Sequence, residues 1–192
     1  MKSNSRFFEK TNNCFWLWRK NNKTETNYFS HFKPTDDRYI LKCISYWVTD
    51  PLGIINSIKK KRKDLDYNSR EDLTFIFVDD DCDCEKRKKI ETSKTKMSKD
   101  TVIVKSSPIF ELWFLNHFCK TTKEYFTNTE LIADLTKYIS NYEKNTDYFE
   151  ILKEHTDTAI KNSAYQVEHG KECTSTDVYK LINKTITFKY DI

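Results

Sequence analysis

Apolar side chains in this chain fall into short, dense runs separated by charged stretches. Phe15-Trp16-Leu17-Trp18 is an aromatic run closed by Arg19-Lys20-Asn21-Asn22, which predicts a strand and then a turn. Tyr28, Phe29 and Phe32 give an apolar face to a helix starting near Glu25, with Thr24 as its cap and Pro34 as its stop. Tyr39 to Trp47 predicts a second strand. Asp50-Pro51 opens a helix with proline at its first position, and Ile54, Ile55 and Ile58 carry it into Lys59-Lys60-Lys61-Arg62-Lys63. Leu73 to Val78 is nearly continuous apolar sequence, the pattern of a strand buried on both faces of a parallel sheet. It ends in Asp79-Asp80-Asp81-Cys82-Asp83, followed by a charged helix or loop to about Lys99. Thr101 to Val104 predicts another buried strand. Ser107 and Pro108 are expected to cap and open a helix over Ile109 to Phe118. The remainder reads as helical, over 129–143, 149–168 and 175–185.

Strand and helix alternate in the front half, which predicts an α/β fold with a parallel sheet over residues 1–120. A helical region over 121–192 is expected to pack on the same domain. Composition supports a folded core. Charged residues reach 32%, but aromatics reach 15%, more than a disordered chain carries. The net charge of +4 is small, yet the positive residues cluster at Lys59–Lys63 and at Lys86-Arg87-Lys88-Lys89. Such runs either hold phosphates or form a solvated helix face. No apolar stretch approaches the roughly 20 residues that span a membrane. With neither a leader nor a cysteine framework, the expectation is a cytoplasmic protein with free thiols.

The strongest chemical feature is the acidic run after the strand at Leu73–Val78. In extended chain, Asp79, Asp81 and Asp83 would point the same way. Sites in open parallel sheets lie at the carboxyl ends of strands. Carboxylates are the hard oxygen ligands that Mg²⁺ takes, so a metal site competes with a solvated turn. A calcium loop fails, with Cys84 where glycine is needed and Ile90 where a bidentate Glu is needed. Cys82/Cys84 and His117/Cys119 lack the spacing of a structural zinc site. No phosphate loop, nucleophile elbow or dinucleotide fingerprint occurs. On the helix after Pro108, Glu111 and His117 lie about 120° apart and do not form a direct pair. Glu111 shares an apolar face with Leu115 and Phe118, so its charge needs a partner: a backbone amide, a lysine or a metal-bound water. His117 reads either as a packed, hydrogen-bonded residue or as a substrate contact.

Four stretches together resemble the RloB-like family, which includes the AbiL/RloB abortive-infection proteins. They are Lys23-Thr24-Glu25-Thr26-Asn27-Tyr28-Phe29, Phe77-Val78-Asp79-Asp80-Asp81, Ser106 through Phe118, and Ser175-Thr176-Asp177-Val178-Tyr179-Lys180-Leu181. The third, SSPIFELWFLNHF, is the most specific. The resemblance implies a Toprim-like parallel sheet flanked by helices. In that fold a glutamate after the first strand and a D-x-D after a later one hold Mg²⁺ or Mn²⁺ for phosphodiester chemistry. It further implies an abortive-infection nuclease acting beside an AAA-type, RloA-like ATPase, on RNA (tRNA among the candidates) or DNA; the apolar pattern gives no expectation of a membrane, and a homo-oligomer stays open. The family glutamate falls on Lys20 here, and Glu25 matches a second acid of the motif. Two readings stay open: a working nuclease in which Glu25 substitutes, or a degenerate interaction subunit. The expected catalytic residues are Glu25, Asp79, Asp81, Glu111 and His117, and the expected metal ligands are Asp79, Asp81 and Asp83. Lys23, Lys59, Lys60, Lys61, Arg62, Lys86 and Arg87 are the expected nucleic-acid contacts.

Overall fold

The computed structural model describes residues 13–20, 23–46, 51–65, 67–170 and 172–188. The front half alternates as β1 (Asn13–Lys20), α1 (Lys23–Phe29), β2 (Phe32–Pro34), β3 (Tyr39–Tyr46), α2 (Pro51–Asp64), β4 (Leu73–Asp79), α3 (Cys84–Lys94) and β5 (Thr101–Ser107). Then follow α4 (Glu111–Asn116), α5 (Asn128–Leu135), α6 (Phe149–Leu152), a 3-10 turn over Lys153–His155, α7 (Thr156–His169), β6 (Ser175–Thr176), α8 (Val178–Thr185) and β7 (Ile186–Phe188). The main sheet has the order β3-β1-β4-β5-β6, parallel except for the last pair. The expected α/β architecture, a parallel sheet flanked by helices with a helical C-terminal region, is present.

The dense apolar runs follow from burial on both faces. Phe15 and Leu17 of β1, Phe75 and Phe77 of β4 and Val104 of β5 enter one core. Cys14, Trp16 and Trp18, Ile76 and Val78, and Ile103 enter the other. The first core is covered by α1, α4, α5, α7 and α8, and the second by α2 and α3. A strand between two such layers has no face left for polar residues, so the strict alternation of a half-exposed strand is absent. Residues from Leu131 to Ile186 lie in the same core as Phe15, so the C-terminal region packs against the sheet itself.

Several element boundaries differ from the sequence expectation. The helix expected from Ile109 begins at Glu111, after a cis Ser107–Pro108 peptide. The Ser107 hydroxyl donates to the Glu172 carbonyl at 3.0 Å and does not cap a helix. The helix expected from Ser175 begins at Val178, because Ser175 and Thr176 complete the edge of the sheet against Ser106 and Ser107. The helix expected over 129–143 ends at Leu135. Phe32–Pro34 and Ile186–Phe188 pair antiparallel as a separate small sheet, where Phe32 was expected on a helix face and the C-terminal region as helical. The calls at Asn21, Asn22, Trp47 and Asp50 lie outside the described residues.

Gly170 shows where backbone elements touch most closely. A Cβ there would sit 2.2 Å from the Gln166 carbonyl oxygen and 2.9 Å from that of Thr174, both rigid backbone atoms. Gly170→Ala should therefore force α7 away from the segment leading to β6 and destabilise the protein by about 1–3 kcal/mol. Urea denaturation checks this: the midpoint falls if the packing is as described and stays put if it is not.

Candidate functional site

The chain leaves β1 for β3 on one side of it, then returns to β4 on the other. The strand order thus reverses between β1 and β4, and the crevice at the carboxyl ends there is where open α/β sheets bind ligands. Three carboxylates reach this edge from three elements. Glu25 lies on α1, the first helix after β1, Asp79 is the last residue of β4, and Glu111 opens α4 after β5. Glu25 and Glu111 are close enough to disfavour the charge of Asp79, and Glu111 that of Glu25. Burial pushes the Glu25 carboxyl up to about 7, with repulsion from Glu111 adding to it, while Arg19 and Lys144 pull the other way. Asp79 is pushed well above the usual carboxylate range, first by its dense surroundings, then by Glu25, Glu111 and Asp81.

Each acid has a distinct environment. Glu25 is 4% exposed, and its Oε2 is buried without a hydrogen-bond partner. Glu111 is 1% exposed on a helix whose six residues are all buried. Its Oε1 accepts from the Tyr142 hydroxyl at 3.1 Å and lies 3.6 Å from the Lys144 ammonium. The partner its burial demands is thus a phenol and a lysine. The next residue inward on α4's far end, Asn116, is satisfied by Ser163 and Gln166 of α7, which fixes the helix in place.

After Asp79 the chain is not extended. Asp81 and Cys82 have φ of 52° and 56°, left-handed values, so the every-other-residue alignment of Asp79, Asp81 and Asp83 does not form. Asp80 turns inward, fully buried, and pairs with Arg87 at 3.1 Å. Asp81 is exposed and pairs with Lys86 at 2.5 Å, though its charge still reaches Asp79. Asp83 caps α3, its Oδ1 accepting from the amides of Glu85 and Lys86 at 2.8 and 3.0 Å. That hydrogen-bonded task holds its carboxyl below the usual range and away from the acid cluster.

The family model of the RloB-like protein matches residues 20–184. The chain belongs to the RloB-like family. No curated protein matches it, and no solved structure does.

In this RloB-like chain, Lys20 closes β1, and its side chain lies outside what the structure describes. Glu25 sits within electrostatic reach of Asp79. His117 is buried and neutral: desolvation takes it down to about 4, and its Nδ1 donates to the Trp113 carbonyl at 2.8 Å. Its Nε2 faces the Tyr28 hydroxyl at 3.5 Å, inside the aromatic core. Of the basic residues, Lys86 contacts Asp81, and Lys23 is exposed at the start of α1, the helix that carries Glu25. Arg87 is engaged by Asp80, Glu172 and Cys173. Lys59 and Lys60 are exposed on α2. Lys61 bonds the Ser45 carbonyl, and Arg62 bonds Thr101 at the start of β5. Thr101 pairs with Thr74 and Ser106 with Asp79, so Arg62 is anchored five residues down the ladder from the acids, roughly 17 Å. Arg19, Tyr142 and Lys144 belong to the site and were not expected. An arginine ending an aromatic strand was a visible signal, whereas Tyr142 and Lys144 arrive from far along the chain.

The donor set suits Mg²⁺ or Mn²⁺: oxygen only, with a buried acceptor lacking a partner. Among the described residues no group of three His, Cys, Asp or Glu side chains is arranged to hold a metal ion. Mg²⁺ commonly takes only one or two protein carboxylates beside water and phosphate oxygens, so a preformed cage is not required. A separate cavity of about 310 Å³, lined by Phe32, Ile160, Ile186 and Phe188 among others, shares no residue with the acids. Among the described residues no helix is long and apolar enough to cross a membrane.

The raised Glu25 carboxyl has a consequence for stability. Its folded value, about 7, exceeds its unfolded value of about 4.3. The stability is therefore fully present below about pH 4.3 and is lost as pH rises through about 7. The shift corresponds to about 4 kcal/mol. Glu25→Gln should gain on the wild type between about pH 5 and about pH 8 in denaturant titrations, by up to that amount. A difference between the two that does not vary with pH would contradict the assignment.

Proposed function

We propose that the chain is a metal-dependent nuclease of the abortive-infection type, with its chemistry at the edge formed by Glu25, Asp79 and Glu111. The observation that carries this reading is the convergence of three buried or half-buried carboxylates at the switch point, one of them with a buried oxygen that nothing in the protein satisfies. Such an arrangement is unfavourable alone and becomes favourable with a cation. Asp79 and Glu111 would hold Mg²⁺ or Mn²⁺, with Asp81 assisting from the surface. The ion, when bound, supplies charge stabilisation at a phosphodiester. Glu25, poised near neutrality, accepts a proton from the attacking water; groups with such values suit general-base work at physiological pH. Lys23 and Lys86 flank the entrance for substrate phosphates. Family membership is consistent with the defence role; an AAA-type ATPase beside the chain is part of the proposal.

A second reading has its own observation. Lys86 and Lys144 already pair with Asp81 and Glu111, so two internal ammonium groups discharge part of the cluster. In that case the chain is a degenerate subunit that binds its ATPase or a phage product.

Calorimetric titration of Mg²⁺ and Mn²⁺ separates the readings. The nuclease reading expects binding by the wild type and a loss of about tenfold or more in affinity for Asp79→Asn, the equivalent of about 1.4 kcal/mol. Glu25→Gln should bind more weakly too. A wild type that takes up neither ion, or an Asp79→Asn variant that binds equally well, would rule the nuclease reading out.

A further inference from the structure

We propose that Lys144 is the residue of this site that grips a substrate phosphate, carried to the acids by a strap of residues 141–148. This rests on the nuclease reading above.

The strap is tied down at several points. Asn145 takes three hydrogen bonds with the helix that carries Glu25: its Oδ1 accepts from the Lys23 amide at 2.9 Å, its carbonyl accepts from Asn27 Nδ2 at 2.6 Å, and its own amide donates to Thr24 Oγ1 at 3.2 Å. Asn141 and Asn145 both have left-handed backbone, with φ of 55° and 71°, a conformation asparagine tolerates better than most residues. Tyr142 is fastened to Glu111, and Asp147 lies 2.7 Å from His31, which stacks on Phe149 at 4.0 Å. The backbone at Lys144 is thereby fixed relative to both Glu25 and Glu111.

The ammonium itself is held loosely. It stands 3.6 Å from Glu111 Oε1, beyond hydrogen-bond length, and its side chain is 49% exposed while that of Glu111 is 1% exposed. Lys23 opens α1 on its exposed side, and its backbone amide is what the strap engages; the cations whose side chains contact acids or are buried are committed differently. Lys86 is in tight contact with Asp81, Arg87 is shared among Asp80, Glu172 and Cys173, and Arg19 is buried. A lysine has three donors, and one loose contact leaves Lys144 the others. A phosphodiester approaching three carboxylates meets repulsion, so a positive group on the solvent side is what admits it. Once the charge of Glu111 is engaged elsewhere, the Lys144 ammonium is free to turn to a non-bridging phosphate oxygen. The fixed backbone sets where the head group can reach, and the flexible stem lets it follow the phosphate.

The test uses the full chain and its Lys144→Gln and Lys144→Arg variants. Binding of a short fluorescein-labelled single-stranded DNA oligonucleotide is followed by anisotropy in Ca²⁺, and Mg²⁺ affinity is measured alone by calorimetry. Lys144→Gln should weaken oligonucleotide binding about tenfold and lower the salt slope by about 0.7, one phosphate contact. Lys144→Arg should restore both, and Mg²⁺ affinity in Lys144→Gln should equal or exceed that of the wild type. Unchanged oligonucleotide affinity in Lys144→Gln, failure of arginine to restore it, or no binding by the wild type overturns the proposal. So does weaker Mg²⁺ binding in Lys144→Gln, which would make the lysine a prop for Glu111. A wild type that binds oligonucleotide but no Mg²⁺ defeats the nuclease reading separately, while the variant comparison still decides Lys144.

Discussion

Like charge confined in a poorly solvated crevice governs this protein. Glu25, Asp79 and Glu111 reach one edge of the sheet from three elements; Glu25 and Glu111 make ionisation of Asp79 harder, and Glu111 does the same to Glu25. The fold holds them there through apolar packing. The β1 and β4 strands are buried on both faces, and α4, which presents Glu111, is buried on every side. The cluster is therefore a cost the scaffold carries, of the kind that concentrates at functional sites. A few contacts reduce it: Tyr142 and Lys144 on Glu111, Arg19 near Glu25, and Lys86 on Asp81.

The remaining acids of the same run show how differently the fold can use a carboxylate. Asp80, one residue from Asp79, is fully buried but paired with Arg87, and so serves as a tie between the loop and α3. Asp83 is exposed and satisfied by two helix amides. Neither carries unrelieved repulsion. The contrast sets Asp79, whose neighbours are other acids, apart from the rest of the acidic run.

Much of this was legible in the sequence because two-sided burial writes itself into a strand as an unbroken apolar run. Leu73 to Val78 announced both the parallel sheet and the place where Asp79 emerges. The dense SSPIFELWFLNHF segment carried the family resemblance, and its all-round apolar character is what buries Glu111. What failed was local extrapolation. Alternation along an extended chain stopped at Asp79 because Asp81 and Cys82 turn left-handed, and no residue type there demanded it. The strands β6 and β7 are two and three residues long, too short to show a period. Of the lysine run at Lys59–Lys63, open between a phosphate patch and a solvated face, Lys61 and Arg62 are tethered within the protein while Lys59 and Lys60 stay exposed, and the basic last turn complements the helix dipole. Tyr142 and Lys144 could not be assigned because their partner Glu111 is about 30 positions away and nothing local marks the contact.

The central claim is that the acid cluster exists to be discharged by a cation. Crystals grown with Mn²⁺ and measured at the manganese absorption edge test it most directly, since anomalous scattering locates the ion without reference to activity. The account predicts a peak at the carboxyl edge of β1 and β4, bonded to Asp79 and Glu111, with Glu25 Oε2 gaining a water as partner. Crystals that show no peak there, or place manganese only on surface acids such as Asp83, would contradict it.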